Sequence, residues 1–117
     1  MADPEALQAK LKALSDIYAA QLPEKIGQLE QAWRQLQQTG WNEEGAESLR
    51  RMVHGLAGAG KTFGFSLLSD VARKLESYVE QLPQPRIALN AEQRHHIEEL
   101  MRELHQASLR GDVARGK

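Results

Sequence analysis

Apolar residues in this chain recur every three or four positions along four separate blocks, and nowhere do they alternate over a strand's length. The first block runs Leu7, Leu11, Leu14, Tyr18 and Leu22, then resumes at Ile26, Leu29, Trp33 and Leu36. The second is Ala46, Leu49, Val53, Leu56, Gly60 and Phe63, and the third is Leu68, Val71, Leu75, Tyr78, Val79 and Leu82. The fourth is Ile97, Leu100, Met101 and Leu104. Such spacing lays each set along one side of an α-helix, whereas a half-buried strand needs a period of two. Residue usage agrees: 16 Leu and 15 Ala stand against 4 Val, 4 Ile and 2 Thr, and the first pair favours helices while the second group favours sheets.

Punctuation separates the blocks. Asp3-Pro4-Glu5 has the form of a helix start, with a capping carboxylate, Pro at the first helical position and an acid in the first turn. Pro23 is expected to kink or break the first helix near Gln21-Leu22, because it lacks an N–H and crowds the preceding turn. Gly40 stops that helix, and Asn42-Glu43-Glu44 caps the second. Gly64 is placed to end the second helix in a left-handed conformation, and Ser66 to cap the third. Leu82-Pro83-Gln84-Pro85 closes the third helix, residues 83–89 form a loop, and Asn90 to Gln93 reads as a capping box for the fourth. These signals predict an all-α, up-down four-helix bundle with a kinked N-terminal helix, spanning residues 1–111, and a frayed tail over 112–117.

The 117 residues suffice for one domain with a core of its own. With no cysteine, disulfides, CxxC redox motifs and thiolate metal sites are excluded. A net charge of -1 provides no electrostatic footprint for nucleic acid. No apolar run approaches a membrane span and no signal-peptide core is evident, so a cytoplasmic monomer with no membrane partner is expected. Among the histidines outside the second helix, His95 with Glu92 and Glu99 reads as a solvated helix face rather than a metal site, and His105 stands apart. Trp33 and Trp41 read as core or cap packing.

Gly55 to Thr62 fits the phosphate-binding pattern G-x-x-x-x-G-K-[ST]. That pattern works where a strand delivers the chain to a loop whose N–H groups cradle phosphate. Here Leu49, Met52, Val53 and Leu56 precede it at helical spacing, so the match is rejected as a nucleotide site.

On a helical wheel with Leu49 at zero, the core positions of the second helix cluster around it, while His54 falls at about 140° and Gly58 at about 180°. A mid-helix histidine is thus presented outward, with Ala57 and Gly58 beside it and Arg50, Arg51 and Lys61 around it. Each helix-interior glycine costs about 0.8–1 kcal/mol relative to alanine. Gly60 points at the core, where close packing accounts for it. Gly58 points at solvent, where the missing side chain clears space for another molecule.

His54-Gly-Leu-Ala-Gly58-Ala-Gly-Lys-Thr-Phe63-Gly64-Phe65, followed by Leu67-Leu68 and Arg73-Lys74-Leu75-Glu76, resembles the signature of histidine-containing phosphotransfer (HPt) domains. The Thr-Phe-Gly-Phe run is most similar to the phosphotransfer domain of chemotaxis-type histidine kinases. The resemblance implies a phosphocarrier in a two-component phosphorelay, not an enzyme by itself. It implies His54 as phosphoryl acceptor through Nε2, Glu76 as the carboxylate that orients the imidazole, and Gly58, Ala57 and Arg51 as a docking surface for a response-regulator receiver domain or a histidine kinase. The family often carries lysine three residues after the histidine, where this chain has Ala57. Lys61 is the expected replacement for its phosphate contact, with Arg50 and Arg73 as alternatives. No cofactor of its own is implied, and Mg2+ is expected on the receiver. The alternative is a helical adaptor that binds a receiver without accepting phosphate.

Overall fold

A computed structural model describes residues 3–82 and 89–112. Four helices follow one another: α1 (Pro4–Thr39), α2 (Glu43–Thr62), α3 (Ser66–Gln81) and α4 (Ala91–Ser108). Each packs on its neighbours in the cycle α1–α2–α3–α4–α1, so the chain is an all-α four-helix bundle. The predicted loop over 83–89 falls mostly on residues 83–88, outside the described residues, as does the tail from 113.

Start signals act through the side chains expected of them. The Asp3 carboxylate accepts from Glu5 N at 3.1 Å, with Pro4 at the first helical position. Asn42 Oδ1 accepts from Gly45 N at 2.7 Å. Asn90 and Gln93 form a reciprocal capping box, each side chain accepting from the other's backbone N–H. Each bond satisfies an N–H that the first helical turn cannot pair.

Pro23 does not break α1, which runs unbroken for 36 residues. Proline removes a single i to i−4 bond here, the one that residue 23 would donate to Ala19. Leu22 and Ile26, on either side, are both buried against the bundle, and their packing keeps the chain helical across the proline.

The turn between α2 and α3 departs from expectation in an instructive way. Gly64 adopts φ 88°, the left-handed conformation that lacks a steric penalty only for glycine. Phe65 N then donates to Gly60 O at 2.7 Å, and Phe63 N to Ala59 O at 3.2 Å, closing the helix end. Ser66, however, is not the cap of α3. It is already helical, and Phe65 stands at the cap position without a side-chain bond. Asp112, from the other end of the chain, supplies the missing acceptor. Its Oδ1 accepts from Ser66 N and its Oδ2 from Ser66 Oγ, both at 2.9 Å, while its own N–H donates to Gly64 O at 2.7 Å. The tail expected to fray from Asp112 is therefore pinned at that residue.

Gly60 packs as its wheel position implied. A Cβ there would lie 3.0 Å from Phe65 O and 3.2 Å from Ser69 N, so only glycine lets α3 start this close to α2. Ser69 is fully buried at the contact and donates its hydroxyl to Ala57 O. The core otherwise follows the apolar pattern, with Leu49, Val53, Leu68, Leu75, Ile97 and Leu104 at its centre. Trp33 and Trp41 are buried and meet edge to face at 6.5 Å. The N-terminal part of α1 is the exception: Leu7, Leu11, Leu14 and Ile17 are 42 to 54 % exposed.

Candidate functional site

α2 is helical through Gly55–Thr62, so no phosphate-cradling loop forms at the rejected nucleotide motif. The same helix presents His54 outward, with 70 % of its side chain exposed. Val53 and Leu56, buried on the opposite face, fix the rotation that does this.

Glu76 is delivered from α3 by the same logic. Leu75 and Val79 are buried, which turns Glu76 toward α2 at the rim of the bundle, where its side chain is 16 % exposed. His54 Nδ1 and Glu76 Oε2 stand 2.7 Å apart. A carboxylate can only accept, so the proton lies on Nδ1 and the lone pair is left on Nε2. Among the described residues no partner is recorded for Nε2. The result is an imidazole oriented through Nδ1 by Glu76 on a side chain that is 70 % exposed.

Of the predicted cations, Arg50 is nearest to this pair, and it is already engaged. Its Nε and Nη2 donate to the two oxygens of Glu47 at 3.1 and 2.6 Å, and its Nη1 lies 3.8 Å from Glu76 Oε2. The hydrogen bond from Arg50 holds the Glu47 carboxyl below its ordinary value, and the Glu47 carboxylate in turn raises Arg50. Lys61 is exposed two turns beyond His54 and makes no ion pair among the described residues. Arg51 is exposed toward α1, lining a groove with Tyr18, Lys25 and Gly55. Arg73 lines the groove between α3 and α4 with Tyr78 and His96.

Ala57 is a correction. The resemblance put it on the docking surface, but it is only 4 % exposed, packed against α3 with its carbonyl bonded to Ser69. Position 57 sits on the α3 side of the wheel, where a small residue fits the close approach that Gly60 also permits. Gly58 is exposed, and a Cβ there would meet nothing within 4 Å. Gly55, next to His54, is equally open. Sequence reasoning missed it, although the cost of an outward helix glycine was an available signal.

The remaining histidines pair locally. His95 Nε2 lies 3.1 Å from Glu99, His105 Nδ1 lies 3.1 Å from Glu30 of α1, and His96 packs on the ring of Tyr78 at 4.3 Å. Among the described residues no group of three or more His, Asp or Glu could hold a metal ion, and no helix is long and apolar enough to cross a membrane.

With a four-helix bundle and an outward histidine held by a carboxylate on the next helix, comparison with known families is decisive. A family model described as the Hpt domain matches residues 13–107, and the chain belongs to that family. Hpt domains are phosphocarriers of phosphorelays rather than catalysts, and they interact with receiver domains and kinases. No curated protein and no solved structure matches the chain.

Proposed function

We propose that His54 carries the phosphoryl group, accepting it from and returning it to the aspartate of a receiver domain, or accepting it from a histidine kinase. The observation that carries this reading is the Nδ1–Glu76 bond, 2.7 Å long, on an exposed histidine. In the transfer, the Nε2 lone pair attacks phosphorus, the N–P bond forms and the P–O bond to the aspartyl carboxylate breaks. The proton stays on Nδ1. The ring thereby becomes cationic, and Glu76, already accepting from Nδ1–H, stabilises that charge as it develops. Mg2+ on the receiver would offset the charge of the phosphoryl oxygens, and the rest is positioning. Gly58 and Gly55 leave the approach to His54 unobstructed.

Lys61 is the cation we assign to the phosphorylated product, since Arg50 is bonded to Glu47 and borders Glu76. Lys61→Ala should shift the transfer equilibrium toward the receiver by up to about 1 kcal/mol, the range of an exposed pair. An unshifted equilibrium in Lys61→Ala with a shift in Arg73→Ala would move the assignment to Arg73.

The test is incubation with a phosphorylated receiver. Label should appear on the wild type, be acid-labile and base-stable, and be absent from His54→Gln. A chain that binds the receiver but takes no label is an adaptor, and the proposal then fails. Gly58→Leu should fold at least as stably, since leucine is the better helix former, yet bind and transfer poorly because the added side chain stands one turn from His54.

A further inference from the structure

Of the cations grouped around His54, Arg50 has no part in the transfer as proposed, and its surroundings give it one. Glu47, Arg50 and His54 follow one another on α2 at steps of three and four residues, which sets them in a row along one side of the helix. Arg50 is clamped within that row. Its Nε donates to Glu47 Oε2 at 3.1 Å and its Nη2 to Glu47 Oε1 at 2.6 Å, the two-pronged geometry that fixes the plane of a guanidinium as well as its place. The third nitrogen, Nη1, is left for α3 and lies 3.8 Å from Glu76 Oε2. That oxygen is the one that stands 2.7 Å from His54 Nδ1. A single carboxylate oxygen is thus drawn by two groups one turn apart on α2, the imidazole N–H and a guanidinium that Glu47 immobilises. Glu80, one turn further along α3, also attracts Arg50 by charge, which keeps the guanidinium on the α3 side of the row.

Glu76 needs a hold of this kind. Its carboxylate stands at the end of three rotatable bonds, and one hydrogen bond to an exposed side chain restrains neither partner by much. The two nitrogens of an imidazole project in diverging directions. A cation beside the acceptor of Nδ1 therefore lies on the side away from a phosphoryl group on Nε2, which separates Arg50 from the part assigned to Lys61. The geometry points to Arg50 and Glu47 as positioning residues for transfer at His54: Glu47 fixes the Arg50 guanidinium, Arg50 holds the Glu76 carboxylate, and Glu76 thereby keeps the proton on Nδ1 and the lone pair on Nε2. An imidazole without that acceptor exchanges between its two tautomers, and the form protonated on Nε2 has no lone pair with which to attack phosphorus. The consequence for transfer rests on His54 being the phosphoryl acceptor, while the positioning itself does not.

The test reads the tautomer of the unphosphorylated chain with no receiver present. Ring 15N shifts of His54, assigned by their loss in His54→Gln, give the ratio of the Nδ1–H to the Nε2–H form at about pH 8.5, well above the ordinary imidazole value of about 6.5. Alanine is the better helix former at this partly exposed position, so Arg50→Ala should leave the far-UV circular dichroism unchanged. The ratio should fall in that variant by about two- to five-fold, the bias that a partly exposed ion pair exerts. Glu47→Gln, which loosens the clamp and leaves Arg50 in place, should lower the ratio by less. In a Glu76→Ala background Arg50→Ala should change nothing further, because Arg50 acts through that carboxylate. Transfer from a phosphorylated receiver to Arg50→Ala should slow by at least the fall in its Nδ1–H fraction. An unchanged or raised ratio in Arg50→Ala would overturn the proposal, and so would an equal fall in both backgrounds, since Arg50 would then act on the ring directly. A ratio that falls while transfer keeps its wild-type rate would overturn it as well. A wild type that takes no label, but whose ratio responds as described, would instead remove the phosphocarrier reading and uphold the positioning.

Discussion

The two halves of α1 carry the same apolar spacing and end in opposite environments. From Tyr18 to Leu36 the stripe is buried against α2 and α4, and from Leu7 to Leu14 it stands in solvent. Spacing makes a helix amphipathic, but burial needs a neighbour of matching length, and α2 and α4 stop short. The difference teaches that a run of i, i+3, i+4 leucines locates a helix face, not the core itself.

The largest expected effect tests that distinction directly. Leu29, in the buried half, is 1 % exposed, and Leu29→Ala should cost about 2–5 kcal/mol in urea unfolding. Leu14→Ala should change stability by no more than about 0.5 kcal/mol. Equal losses at both positions would mean that the N-terminal part of α1 belongs to the folded core.

Pro23 lies just inside the sheathed half. Pro23→Ala would restore the N–H that the helix lacks there, and a gain of about 1–3 kcal/mol is expected in the same unfolding experiment. A loss would show that the ring packs in the groove with Phe65 and Leu109 to a degree that outweighs the missing bond.

The smallest effect sits at the border itself. Tyr18 packs on Phe63 at 5.1 Å and Phe65 at 6.1 Å, and its hydroxyl is buried with no hydrogen-bond partner among the described residues. Tyr18→Phe should therefore be neutral or stabilising, by about 1 kcal/mol, since it removes an unsatisfied polar group without leaving a cavity. Burial raises the Tyr18 phenol above its ordinary value. A group raised in the folded state is bound to its proton more tightly there, so its contribution is complete below the unfolded value of about 10 and is lost as pH rises through the folded one. Alkaline unfolding of the wild type should thus begin at lower pH than that of Tyr18→Phe. Coincident profiles would place the hydroxyl in contact with water.

Much of this protein was legible before any coordinates. Helix number and order followed from the period of the apolar residues, and three of the four N-caps from Asp3, Asn42 and Asn90, because capping is chemistry between residues two or three apart. The outward direction of His54 and Gly58 also followed, since rotation about a helix axis is set by the helix's own buried face. The tertiary structure alone decided what depends on residues distant in the chain. It gave α3 its cap from Asp112, 46 residues away, and moved Ala57 from the surface into the contact with Ser69. It bound Arg50 to carboxylates on two helices. It also left the first third of α1 uncovered, because whether an apolar face is buried is settled by the reach of the other helices, which no local pattern in α1 encodes.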